Sequence, residues 1–114
     1  MRNRIIVEKM LQYSNKISEY VSGLDYNRFV ENSLIVDACV FNLSQIGELV
    51  TKVSEDYENS HDKIPWRQLY GLRNRIVHDY EGVNLDLVWQ IVHDDIPDLI
   101  SKLEIIVNKD KDSE

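Results

Sequence analysis

Between residues 73 and 80 the chain reads Arg-Asn-Arg-Ile-Val-His-Asp-Tyr, and most side chains suited to chemistry fall in this stretch. Arg73 offers a planar fork of donors that can hold two phosphate oxygens and stabilise charge added in a transition state. A histidine unperturbed by its surroundings has a pKa of about 6.5, so the imidazole of His78 is of a type that takes or gives a proton close to neutrality. An Arg and a His without a carboxylate cluster suit metal-free cleavage of RNA. The imidazole removes the ribose 2′-OH proton, that oxygen attacks the adjacent phosphorus, and the guanidinium stabilises the crowded phosphorane. DNA lacks the attacking hydroxyl and is left intact. The leaving oxygen needs a second acid, which a second copy of His78 across a dimer cleft could supply. The plainer alternative is that Arg and His near a helix C-terminus complement its dipole and bond its last carbonyls.

These residues must be positioned by helices. Ile6, Met10, Tyr13, Ile17, Tyr20 and Leu24 recur at steps of four and three, an apolar seam along a first helix that Gly23 should stop. Asp25 is an N-cap for a short helix over 26–32. A long helix is expected from about Leu34 to Tyr57, either separated from the short one at Asn32-Ser33 with Ser33 as its cap or continuous with it as one bent helix, followed by a polar loop at 59–62. Pro65 suits the first turn of the next helix, which should carry Trp66, Leu69, Leu72, Ile76 and Tyr80 and end at Gly82. On that helix Asn74 and His78 share a face, as do Arg73 and Tyr80, while Arg73 and His78 lie about 140° apart. They meet only if the Arg side chain curls round the helix or a second subunit closes the site. Asn84 caps the last helix, in which Pro97 should cause a kink near His93. The expected fold is all-α, an up-and-down bundle of four main helices plus one short helix over residues 1–107, with a charged tail at 108–114. Trp66, Trp89 and several Tyr residues exceed what such a bundle needs, which suggests a homodimer.

With 114 residues, 43% of them hydrophobic, 29% charged, and only 4 Gly and 2 Pro, the chain has room for one packed domain and is not a disordered or collagen-like polymer. Its uncharged apolar runs fall short of a bilayer span, Glu8 and Lys9 interrupt any leader-like core, and the single Cys39 has no disulfide partner; together these suggest a cytoplasmic protein. The net charge of −7 argues against indiscriminate coating of nucleic acid. Yet Lys63, Arg67, Arg73 and Arg75 form a basic island without an acid between 63 and 78, as expected of a focused anion site.

Other groups carry less. Glu58 and His61 make a single Glu-x-x-His unit, where a di-iron bundle needs two such units and further carboxylates, so no metal site is expected. His93 with Asp94 and Asp95 reads as a solvated kink. Cys39 falls on an apolar seam and reads as a small buried hydrophobe. Glu48, after Gly47 and among apolar neighbours, is either a polar anchor orienting Arg73 or His78 across a close helix approach, or a surface carboxylate. No glycine-rich phosphate loop and no Ser/His/Asp pattern occurs, so no cofactor is expected.

Arg73 to Tyr80 resembles the Arg-x4-His-x-Tyr signature of HEPN-domain proteins, specifically the HepT-like ribonuclease toxin branch. Ile46-Gly47-Glu48, Ile64-Pro65-Trp66-Arg67, Gly71-Leu72-Arg73-Asn74, Val83 through Trp89 and Ile96-Pro97-Asp98-Leu99 look like landmarks of the same family in the same order. The resemblance covers roughly residues 5 to 105. It implies a helical homodimer with the motif at a cleft between protomers and endoribonuclease activity without a metal. It also implies a toxin role beside a minimal nucleotidyltransferase antitoxin that attaches AMP to the motif Tyr. Carried onto this chain, Arg73 and His78 are catalytic, Tyr80 is the modified residue, and Asn74 and Glu48 are supporting. The alternative is a non-catalytic subunit that binds substrate or nucleotide for a nucleotidyltransferase.

Overall fold

The computed structural model describes residues 2–78 and 82–112; the side chains of His78 and residues 110–112 lie outside what it describes. Three long helical segments carry the core. They are α1 (Arg2–Val21), α3 (Ser33–Val50), and a composite third made of α7 (Leu85–Gln90), a π-helical turn (Ile91–Asp95) and α8 (Ile96–Asp112). α1 lies between α3 and α8 and packs on both. Its seam enters the core through Ile6, Met10 and Ile17, where it meets Cys39, Leu43, Ile46, Leu99 and Leu103. Tyr20, at the end of the seam, is exposed. α1 ends where Gly23 takes a positive φ of 77°, a conformation that costs glycine little.

Short helices link the long ones, and side-chain caps set their starts. Asp25 accepts a 2.8 Å bond from the Arg28 N–H and opens α2 (Tyr26–Glu31). Asn32, rather than Ser33, caps α3, accepting from the Ile35 N–H at 3.1 Å. α3 has the length and apolarity of a membrane span, but its buried face packs against α1, α2, α5 and α6. It also stops at Val50 instead of running on to Tyr57. The Thr51 hydroxyl donates to the Glu48 carbonyl at 2.6 Å, and Ser54 caps a separate α4 (Glu55–Ser60). Glu55, Asp56 and Glu58 complement the positive end of that helix. The polar loop expected from residue 59 therefore begins later, at His61.

The largest departure from the sequence reading lies between Pro65 and Asn84. One helix was expected to reach Tyr80; the chain forms α5 (Trp66–Tyr70) and α6 (Leu72–Ile76), divided at Gly71. β1 (Val77–His78) then pairs antiparallel with β2 (Gly82–Val83), matching Val77 to Val83 and His78 to Gly82. The β-branched pair Ile76-Val77 favours leaving the helix, and Gly82, at φ +79°, takes a backbone that other residues resist. Gly82 thus belongs to a hairpin and does not terminate a helix. Asn84 caps α7, accepting from the Leu87 N–H at 3.2 Å.

The expected disturbance at Pro97 is present as the π-helical turn that precedes it, in which the Ile96 N–H bonds back to the Ile91 carbonyl. α8 continues to Asp112, so the segment expected to be a tail from Asn108 is helical up to that point. Both Trp residues serve the protomer itself. Trp66 is buried with its indole N–H donating to the His61 carbonyl at 3.0 Å, and Trp89 packs against Phe29 with ring centroids 5.1 Å apart. Tyr26 donates to Asp86 and ties α2 to α7; that hydrogen bond, with desolvation and the carboxylate charge, raises the phenol pKa. The exposed large apolar side chains lie elsewhere, with Leu34 and Phe41 two turns apart on α3.

Candidate functional site

α6 is five residues long, and its two inward side chains decide where the others point. Leu72 and Ile76 are buried, so Arg73, Asn74 and Arg75 are left exposed. α6 rests on α3, where the α3 backbone comes close at Gly47. A Cβ on Gly47 would sit 3.1 Å from the Leu69 carbonyl oxygen and 3.7 Å from the Leu72 Cβ. The close helix approach read at Gly47 is therefore present. Glu48, the next residue, is exposed, and among the described residues no hydrogen bond or ion pair joins it to Arg73.

The helical geometry expected for the motif does not apply, because α6 ends at Ile76. The Val77 N–H still bonds back to the Arg73 carbonyl, but Val77 itself is extended at φ −112° and ψ 123°. His78 thus leaves the helix end on a strand, and its distance from Arg73 is set by the turn of the chain rather than by 100° steps. Among the described residues Arg73 pairs with no carboxylate. Arg75 donates to the Gln68 carbonyl over a long 3.5 Å. Asn74 is exposed beside them. Tyr80 lies outside the described residues.

The basic island does not gather at one point. Lys63 lines a cavity of about 310 Å³ together with Lys102 and Lys109 of α8. Arg67 borders a separate groove of about 250 Å³ beside Glu58 and Tyr70. Arg75 lines a third, of about 270 Å³, that reaches Lys102. Lys63 and Arg67 also share a wider groove of about 480 Å³ with Glu58 and Asp62, and the division at Gly71 sets Arg75 apart from them, which periodicity along one unbroken helix could not reveal. The cluster of Lys63 with Lys102 and Lys109 was missed in the sequence because its members lie some forty residues apart. Only their regular spacing on the last helix, at i and i+7, hints that the two later lysines share a face.

The remaining candidates have ordinary surroundings. His61 Nδ1 lies 2.9 Å from the Tyr57 carbonyl oxygen, and its ring stacks on Tyr57 at 4.0 Å. His93 is exposed, 2.8 Å from Asp94, on the π-helical turn. Cys39 is fully buried, and burial pushes its thiol pKa up to about 11. A raised value means that the folded state holds the proton more tightly. Its contribution to stability is then full below the unfolded pKa and is lost as the pH climbs towards about 11. The stability difference between wild type and Cys39→Ala, measured by urea unfolding, is expected to narrow from pH 8 to pH 11. The native thiol should also react with a disulfide reagent far more slowly than the unfolded one.

Comparison with known proteins supplies the family. Residues 10–106 match the family model described as Ribonuclease HepT-like. The chain is 32% identical over 108 residues to "Putative RNase TTE0752" of Caldanaerobacter subterraneus subsp. tengcongensis, covering 95% of this chain and 96% of that one. It is 33% identical over 97 residues to "Putative RNase MJ1380" of Methanocaldococcus jannaschii, covering 85% and 89%. It is 29% identical over 98 residues to "Probable ribonuclease HepT" of Thermococcus cleftensis, covering 86% and 89%. No solved structure matches. A match that runs through nearly all of the core, from Met10 on α1 to Ile106 on α8, places this chain in the HepT-like ribonuclease family.

Proposed function

We propose that this protein is a metal-independent endoribonuclease toxin, cytoplasmic, and held in check by a minimal nucleotidyltransferase antitoxin. The observation that carries the reading is the family match across residues 10–106, which spans an arginine turned to solvent on α6 and a histidine just beyond the end of that helix. In the proposed reaction His78 takes the 2′-OH proton, the 2′ oxygen bonds to phosphorus, and the phosphorus–5′-oxygen bond breaks. The products are a 2′,3′-cyclic phosphate and a 5′-hydroxyl. Arg73 stabilises the charge on the phosphorane oxygens. His78 of the partner subunit gives the leaving oxygen its proton, and Asn74 and Glu48 support the cleft.

A homodimer accords with the shape of the protomer, a slab of 45 × 30 × 18 Å, and with the exposed Leu34 and Phe41 on α3. The regulatory step is assigned to Tyr80: its hydroxyl oxygen would attack the α-phosphorus of ATP held by the nucleotidyltransferase, the phenol proton and pyrophosphate would leave, and the resulting phosphodiester, close to Arg73 in the sequence, would exclude the RNA backbone. Intact-mass analysis of the chain co-expressed with its neighbouring nucleotidyltransferase is expected to show AMP adducts that vanish in Tyr80→Phe. Adducts that persist in that variant would remove Tyr80 from the scheme. Cleavage itself is tested in EDTA with unmodified protein. RNA left intact, with adducts still forming, would favour the substrate-binding subunit instead.

A further inference from the structure

Among the described residues, lysines gather outside the motif segment at the cavity of about 310 Å³ between the turn after α4 and the last turns of α8. Lys63, Lys102 and Lys109 line it, together with His61, and among the described residues Asp62 is the only acid that does. Lys102 is already paired with Asp98 at 2.8 Å, so Lys63 and Lys109 are the cations that remain against Asp62, in a chain whose net charge is −7. Beneath them lie Ile64 and Ile106, both buried, and Ile105, which is 67% exposed. Lysines over an apolar floor suit a chain of phosphates carrying flat, partly apolar bases. The ammonium groups meet phosphate oxygens as point charges, and the isoleucine surface receives a base face.

Position strengthens the case. Lys102 also lines the neighbouring groove of about 270 Å³, which runs past Leu69 and Leu72 to Arg75, two residues from Arg73. In that groove Arg75 and Lys102 are matched by Asp95 and Asp98, and Asp98 pairs with Lys102 at 2.8 Å. The track is thus neutral near the motif and positive at its far end. Along the last helix, from Ile91 to Lys109, it extends roughly 27 Å at about 1.5 Å per residue.

From this arrangement we infer that the Lys63–Lys102–Lys109 cavity is a second binding site for single-stranded RNA, gripping the strand away from the bond that is cut. The inference rests on the RNA-cleaving reading for the identity of its ligand, but it is tested by binding alone. A short fluorescent 2′-O-methyl RNA, which lacks the attacking hydroxyl, is titrated by anisotropy at several salt concentrations. Lys102 is left in place because of its bond to Asp98. The Lys63→Gln/Lys109→Gln protein is compared with wild type and with a control, Lys9→Gln/Lys52→Gln, whose lysines are exposed and line none of these cavities.

Loss of two phosphate contacts should make the slope of log affinity against log salt shallower by about 1.4. Between 50 and 200 mM salt, wild type then loses about sevenfold more affinity than the variant. The control variant should keep the wild-type slope. An unchanged slope in Lys63→Gln/Lys109→Gln overturns the inference, even if free mononucleotide perturbs the Ile105 methyl resonance. An equal loss in the control overturns it too, since the effect would then be general charge. Binding that follows the lysines without any cleavage in EDTA leaves this site standing and removes the nuclease reading. Cleavage with RNA binding indifferent to the lysines does the reverse.

Discussion

Replacing Arg73 with alanine is expected to lower RNA cleavage in EDTA by about 10² to 10³-fold while leaving the urea midpoint within error of wild type. The first figure is the typical cost of removing one donor that serves a developing oxyanion. The second follows from place: Arg73 is exposed on α6, and among the described residues it holds no ion pair whose loss would unfold anything. His78→Ala should lower cleavage by about 10² to 10⁴-fold, as removal of a general base does. If one residue is base in one protomer and acid in the other, the pH profile of kcat should be bell-shaped, and the alanine variant should lose both limbs together. The Arg73→Lys protein separates charge from geometry. Lysine keeps the charge and loses the planar fork, so most of the defect should remain. Wild-type rates in both single variants, with the fold intact, would show that the chemistry resides elsewhere.

The sequence disclosed the helices that make the core and misjudged the segment that carries the proposed chemistry, for one physical reason. Ile6, Met10 and Ile17 are buried at the spacing read, and Asp25 and Asn84 cap the helices they were expected to cap, because seams and caps are local signals. Ser54 was such a signal as well, placed before three acids in a helix's first turn, and the long apolar register through Val53 and Tyr57 masked it. Between Pro65 and Asn84 the outcome is decided by tertiary contacts. Leu72 and Ile76 anchor a single turn on α3, and the chain then leaves on a strand. A pattern of period 3.6 continues in register through such a break and gives no warning of it. Arg73 and His78 were identified by residue type and by resemblance, which survive the change of backbone, whereas the 140° angle between them did not. The lysine cavity lay beyond reach because the fold assembles it from the turn after α4, in mid-chain, and the last turns of α8, where Ile64 and Ile106 are both buried.

Gly47→Leu is expected to cost about 3 kcal/mol of stability, the upper range for forcing extra atoms into a packed site. A Cβ alone would lie 3.1 Å from the Leu69 carbonyl, and that neighbour is backbone, which cannot swing aside as a side-chain tip would. Alanine therefore sets two effects against each other. It gains about 1 kcal/mol of helix propensity and loses a similar amount to the close contact, so Gly47→Ala should fall near zero. Leucine adds three more carbons at the same crossing, and α5 must move away from α3 to admit them. Gly71 supplies the contrast. It has an ordinary φ of −92° and nothing within 4 Å of its would-be Cβ, so Gly71→Ala should stay within about 0.5 kcal/mol of wild type. Urea unfolding of the three proteins gives the ranking. Moving α5 also displaces Leu72, the residue immediately before Arg73, so refolded Gly47→Leu protein should lose cleavage at temperatures where most of it is still native. A leucine variant as stable as wild type would mean that α3 and α5 do not approach closely, and the shelf on which Arg73 stands would then have to be drawn differently.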